Sequence, residues 1–326
     1  MQGKIDWNPV EEENHETHET HEKNHKMISV PFVFFVCFVV PSSRIPSLKY
    51  GFNLLLWTTH VGHEQFPLFA KLKAAGYDGV ELPIFEGDAA HYKTVRKALD
   101  DHGLRCTAVT VVSPEANPIS PDAAIRQKGL DHVKWAIDML HFCDGEVLCG
   151  PYHSPLADFS GSGPTGEEKK RAADVLRQAA EHAATANVTL AIEYLNRFEC
   201  YFLTTAADTL ALVKAVDHPS FGAMYDTFHA NIEEKQAAPA IRTLAPVLRH
   251  VHISENDRGT PGTGHVAWAE TFRTLREVNY DGWMTVESFG RALPALAAAT
   301  KVWRDLFPAD EPWQKGIGFM KQQWER

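Results

Sequence analysis

From Lys49 onward the chain keeps one beat, in which short runs rich in β-branched and aromatic residues alternate with longer segments whose apolar residues recur at helical spacing. The runs are "YGFNLLLW" (50–57), "GVELPI" (79–84), "RCTAVTVV" (105–112), "GEVLCG" (145–150), "TLAIEYL" (189–195), "FGAMYD" (221–226), "LRHVHIS" (248–254) and "WMTVES" (283–288), eight in all. Between them, "EQFPLFAKLKAAG" stops on Gly76, and "GEEKKRAADVLRQAAEHAATAN" is built from strong helix formers. Strand then helix, eight times over, predicts an α/β chain closed into a (β/α)8 TIM barrel. A doubly wound sheet is the alternative, but no glycine-rich phosphate fingerprint follows the first strand.

The charges within that pattern point to chemistry. Glu193 interrupts the apolar run "VTLAIEYL", where a buried carboxylate is costly unless it is paired or holds a metal. With Glu193 facing inward, Thr189 and Ala191 share its face while Leu190, Ile192 and Tyr194 face the helices. The same test places Asp226 at the end of the sixth strand, His252 in the seventh and Glu287 at the end of the eighth. The carboxyl ends of barrel strands ring one mouth, so these four side chains form a mixed oxygen and nitrogen set. Such a set suits a divalent ion, Mn²⁺ first, with Mg²⁺ or Co²⁺ as substitutes and no organic cofactor. Each acid alone also reads as a helix cap or an ion-pair member; their recurrence at corresponding strand ends favours the metal. His250 shares the face of His252 but sits deeper, which assigns it to the barrel core.

Composition narrows the partners. A formal charge of −10 over 326 residues disfavours nucleic acid and acidic membranes, which need a basic footprint, and leaves a small molecule as the expected ligand. The cysteines, Cys37, Cys106, Cys143, Cys149 and Cys200, lack metal-site spacing and read as reduced thiols of a cytoplasmic protein. Cys149 and Cys200 lie near strand ends, but small buried hydrophobes are the better reading than nucleophiles. Residues 1–48 stand apart: an acidic, His-rich tail, "HETHETHEKNHK", leads into "VPFVFFVCFVVP", which is too short to span a bilayer and lacks the basic flank of a signal peptide. They read first as a disordered or non-native extension, with the gene start expected near Leu48 and a poorly formed signal peptide as the lesser alternative, and residues 49–326 as one catalytic barrel with a C-terminal tail.

Five ordered motifs, "IEYLNRFE", "DTFHANIEE", "HISENDRGTPGTGHVAW", "VES" and "KVWRDL", make residues 49–307 resemble the ketose 3-epimerases, the D-tagatose and D-allulose (psicose) 3-epimerase family of the xylose-isomerase-like TIM barrels. The resemblance implies that Glu193, Asp226, His252 and Glu287 hold the metal and that Glu193 and Glu287 are also the catalytic acid/base pair. It implies that Glu199, His229 and Arg258 bind hydroxyls near C1 to C3 of the sugar, and that the protein assembles as a homodimer or homotetramer. Inverting C3 of a ketose requires removing a weakly acidic proton beside the C2 carbonyl. A metal on O2 and O3 stabilises the enediolate, and two carboxylates on opposite faces trade the proton. Trp57, with Phe85 and Cys149, is expected to wall the C4 to C6 end, where Glu81 or Glu86 would reach a hydroxyl. Glycines 259, 262 and 264 would let their loop pass close to the substrate or simply make a turn.

Three other functions compete. An aldose–ketose isomerase resembling hydroxypyruvate isomerase would use a similar metal and similar acids at C1 and C2, but the "NRFE" and "RGTPG" contexts favour the epimerase. An endonuclease IV-like phosphodiesterase would place an Asp two residues before a His in the loop after strand seven, where this chain has Thr263-Gly264-His265. A non-catalytic sugar-binding barrel would not need the acid/base pair. No basic cluster near the mouth marks a phosphorylated sugar, so free ketoses are expected.

Overall fold

All eight expected strands form, and they pair in sequence order into a closed parallel barrel. The computed structural model describes residues 48–326, so the expectations for the N-terminal extension lie outside the described residues. The strands are β1 (Lys49–Asn53), β2 (Gly79–Pro83), β3 (Arg105–Val109), β4 (Val147–Gly150), β5 (Thr189–Ile192), β6 (Phe221–Asp226), β7 (Leu248–Ile253) and β8 (Trp283–Val286). β8 closes the ring against β1, with Gly51 opposite Thr285.

Side-chain parity follows the expected alternation. Ala191 packs inside the barrel with Val109, Cys149, Met224 and Trp283, while Leu190, Ile192 and Tyr194 join the layer between strands and helices. Trp283 plugs the interior because its neighbours are minimal: a Cβ on Gly79 would come within 2.6 Å of its ring. Helix ends obey the chemistry read from the sequence. Gly76 closes Phe66–Ala75 in the left-handed conformation at φ 101°, and Asn187 closes Gly166–Ala186 the same way.

Two expectations need correction. β1 stops at Asn53 rather than running to Trp57, because the Asn53 side chain accepts the Leu55 N–H at 2.8 Å and turns the chain into a 3₁₀ segment, Leu54–Leu56. The C-terminal tail is a helix, Glu311–Glu325, that buries Ile317 and Met320. Tyr77 Oη donates to Trp313 O at 2.9 Å, and Gly316 lies against Val286, so this helix covers the eighth strand as a barrel helix should. Cys106, Cys143, Cys149 and Cys200 are free and buried. No helix among the described residues is long and apolar enough to cross a membrane.

Candidate metal centre and cleft

Glu193, Asp226, His252 and Glu287 meet at the carboxyl end of the barrel, all of them buried. Asp226 divides its oxygens: Oδ1 accepts the N–H groups of Phe228 and His229 at 2.6 and 3.3 Å, capping the helix Thr227–Glu233, and Oδ2 lies 3.6 Å from His252 Nδ1. It is thus a helix cap and a member of the cluster at once. Glu287 Oε1 lies 3.2 Å from the same nitrogen. Glu193, Asp226 and His252 can each present a donor atom within 4.8 Å of the others.

His252 supplies the test of whether a cation fits. Its Nε2 is 2.6 Å from Glu81 Oε1, so Nε2–H donates downward, while Nδ1 is buried without a hydrogen-bond partner. An imidazole lone pair facing carboxylates has nothing to accept from; the arrangement calls for a positive charge between them. The donor set, three carboxylates and one imidazole, suits Mn²⁺, Mg²⁺ or Co²⁺. In this structure the countercharge is Arg258, whose Nη1 lies 3.2 Å from Asp226 Oδ2 and 2.5 Å from Glu287 Oε2.

Proton affinities respond to this crowding. Burial, then the charges of Asp226 and Glu287, pushes the Glu193 carboxyl well above its ordinary range, and burial raises Glu287. Burial opposes charge on His252, yet Glu81 and Glu287 outweigh it and hold the ring's pKa well above the usual histidine value. A proton thus meets the same demand for positive charge that a metal ion would. His229 moves the other way, down to about 4, through burial and the neighbouring Arg258. Its Nδ1 accepts the Asn196 N–H at 3.0 Å while Nε2 faces Arg258 Nη2 at 2.9 Å. A neutral ring accepts at only one nitrogen, so the Arg258–His229 contact sets donor against donor.

A cavity of about 210 Å³ opens above these groups, and Glu193, Glu199, His229, Arg258 and Glu287 all line it. Apart from Thr300 its remaining wall is apolar and includes Leu55, Phe85, Val109, Leu156 and Phe289. Glu199 accepts from Asn196 Nδ2 at 2.9 Å. The guanidinium of Arg258 sits between the rings of Phe228 and Phe289, 3.8 and 4.9 Å from their centroids, and its backbone is left-handed at φ 65°, an unusual conformation for a side-chain-bearing residue.

Several expected contacts fall elsewhere. Trp57 does not line this cavity; the 3₁₀ turn after β1 sends it to an adjacent one with Arg291 and Phe307, and Leu55 takes the expected place. Cys149 lies beneath the site, donating to Glu81 Oε2 at 3.2 Å, and Glu86 is exposed. Glu81 does not reach the cavity: it is fully buried under His252. The glycine loop is shaped by Glu255, which accepts the N–H groups of Asn256, Gly262 and Val266 and Nε1 of Trp268 at 2.8–3.2 Å. A Cβ on Gly264 would collide with Glu255 and Asn256, so the turn reading holds there. Asn53, at the end of β1, and Glu255, in the loop after β7, are not singled out by the carboxylate pattern, and Glu81, mid-strand in β2, is read from sequence only as a hydroxyl contact.

Comparison with known proteins accords with this architecture. A family model described as xylose isomerase-like TIM barrel matches residues 69–323. A probable ketose 3-epimerase of Synechocystis sp. is 30% identical over 86% of this chain and 98% of its own length, and a D-psicose 3-epimerase of Agrobacterium fabrum is 34% identical over 79% and 91%. The crystal structure of a D-allulose 3-epimerase from Methylomonas sp. in complex with D-allulose superposes with a TM-score of 0.80 at 30% identity, covering 85% of this chain and 98% of that one. The chain therefore belongs to the ketose 3-epimerases, a family of isomerases built on the xylose isomerase-like TIM barrel.

Proposed function

We propose that the protein epimerises free ketoses at C3, on pairs such as D-fructose and D-allulose or D-tagatose and D-sorbose, or on L-ribulose, with a divalent metal held by Glu193, Asp226, His252 and Glu287. The observation that carries this reading is the unpartnered His252 Nδ1 buried among carboxylates. Mn²⁺ is the first candidate, and when bound it supplies Lewis-acid stabilisation of the charge that develops on the sugar oxygens. Glu193 and Glu287 are the catalytic pair. Both line the cavity, and burial raises the proton affinity of both, which suits groups that take a proton from one face of C3 and return one to the other.

Glu199, His229 and Arg258 share the cavity wall and would orient the sugar hydroxyls. Substrate binding offers Arg258 a partner better than the opposed donor it meets on His229. Among the described residues, Arg258 is the only Lys or Arg lining the cavity, and it is already paired with two carboxylates, which supports a free sugar over a phosphorylated one. Residues 49–326 act as the catalytic domain of a cytoplasmic homodimer or homotetramer.

Proton NMR in D₂O of the Mn²⁺-loaded enzyme with D-fructose, D-allulose, D-tagatose and L-ribulose tests the proposal, using product isolated free of metal. Deuterium entering at C3 with build-up of the C3 epimer, both stopped by EDTA, is expected. Exchange at C1 with an aldose product would replace the epimerase with an isomerase, and no exchange in any ketose would reject the free-sugar assignment.

A further inference from the structure

We propose that Glu81 is the positioning residue of the metal centre: from one layer below the mouth it fixes the His252 ring with Nδ1 facing the cation and, through Asn53, steadies Glu287. The inference rests on the metal reading above and adds a residue that touches neither the metal nor the sugar.

Glu81 is fully buried, yet its carboxylate is surrounded by donors from four other strands. Oε1 accepts from Asn53 Nδ2 at 2.9 Å and faces His252 Nε2 at 2.6 Å; Oε2 accepts from Thr107 Oγ1 at 2.9 Å and Cys149 Sγ at 3.2 Å. A carboxylate only accepts, so the ring nitrogen facing it must carry the proton, and a neutral His252 then keeps its lone pair at Nδ1, the atom that faces Asp226 and Glu287. The other approach to Nε2 is Cys149 Sγ at 3.8 Å, too weak to orient a ring.

The second arm runs through Asn53. Its Oδ1 is committed to the Leu55 N–H, which turns Nδ2 toward both Glu81 Oε1 and, at 3.3 Å, Glu287 Oε1. One buried carboxylate thereby bears on two of the four proposed ligands. A structural role alone is a poor account of it, since an apolar residue of similar volume generally stabilises a barrel interior as well as a buried charge or better. Carboxylates behind a metal-bound imidazole fix its orientation and raise its basicity, and losing one weakens metal affinity by about 10- to 100-fold.

The test compares wild type with Glu81→Gln, reading Mn²⁺ dissociation constants by EPR of free Mn²⁺, with circular dichroism as the check on folding. A folded Glu81→Gln protein should bind Mn²⁺ about 10- to 100-fold more weakly, with kcat recovering as Mn²⁺ is raised. Binding within twofold of wild type would overturn the proposal. A wild type that binds no Mn²⁺ would overturn the metal reading and the inference with it. If Glu81→Gln does not fold, wild type loaded with diamagnetic Mg²⁺ decides: a slowly exchanging, downfield Nε2–H resonance of His252 is expected, and its absence would reject the hydrogen bond on which the inference stands.

Discussion

Strands β5 to β8 bring Glu193, Asp226, His252 and Glu287 to the barrel mouth, whereas the segments following β1 to β4 bring Leu55, Phe85, Val111 and Pro151 to the same cavity. The first half keeps its polar groups lower down. Asn53, Glu81 and Thr107 are lateral neighbours in register across β1, β2 and β3, and their hydrogen bonds converge on the carboxylate beneath His252. One half thus presents chemistry and the other presents shape above and support below. A charge at the mouth can do its work only where the layer beneath is already satisfied.

The comparison breaks most decisively at the chemical half. Glu193→Gln should keep the fold and lower ketose turnover by about 10²- to 10⁴-fold, measured as kcat for C3 epimer formation; a loss below tenfold would remove Glu193 from the proton transfer. Next in size is Glu255→Gln, which replaces one acceptor oxygen with an NH2 donor facing N–H donors and should cost about 1–3 kcal/mol in chemical denaturation.

Glu255 also carries a pH signature. Burial alone would raise its carboxyl, but the backbone N–H groups of Asn256, Val266 and Gly262 and the Trp268 indole hold it below the ordinary carboxylate range. Its folded value is lower than its unfolded value, so the unfolded chain binds the proton first as the pH falls. The stabilisation is therefore present above the ordinary carboxylate range and is lost as the pH drops through the folded value. Glu255→Gln should flatten that part of the acid-unfolding curve; an unchanged slope would show that the loop does not depend on the ionised carboxylate.

The apolar half should respond more mildly. Phe85→Ala removes wall area without touching a proposed ligand, so KM should rise about tenfold with kcat nearly kept; a matching fall in Mn²⁺ affinity would blur the division between halves. Smallest of all, Trp57→Phe should change KM by less than about twofold, because Trp57 faces the neighbouring cavity and packs on Phe52. A tenfold rise would return it to the substrate wall.

The same division governs how much of the molecule is legible in its amino-acid sequence. Period-two alternation with intervening helical periodicity is enough for the barrel, and inward parity at Glu193 transfers directly to Asp226, His252 and Glu287 because each lies near a strand end. Trp57 departs from its expected place for a local reason, the Asn53 side chain bending the chain one turn early. The closing helix Glu311–Glu325 reads as a tail because its apolar face shows its purpose only against Val286 and Tyr77. Glu81 is hard to weigh from sequence because its worth depends on five side chains distant along the chain: Asn53, Thr107, Cys149, His250 and His252. Hydrophobic patterning can flag the charge within "GVELPI" but cannot register the donors from four other strands that satisfy it.

The central claim is that four strand ends from one half of the barrel converge on a single cation. A crystal soaked in Mn²⁺ and measured on both sides of the manganese absorption edge tests it directly. The account predicts one anomalous peak per chain, bonded to Glu193, Asp226, His252 Nδ1 and Glu287. No peak there, or a peak bound instead below the mouth by Glu81, Cys149, His250 and His252, which also bring donor atoms within 4.8 Å of one another, would contradict it.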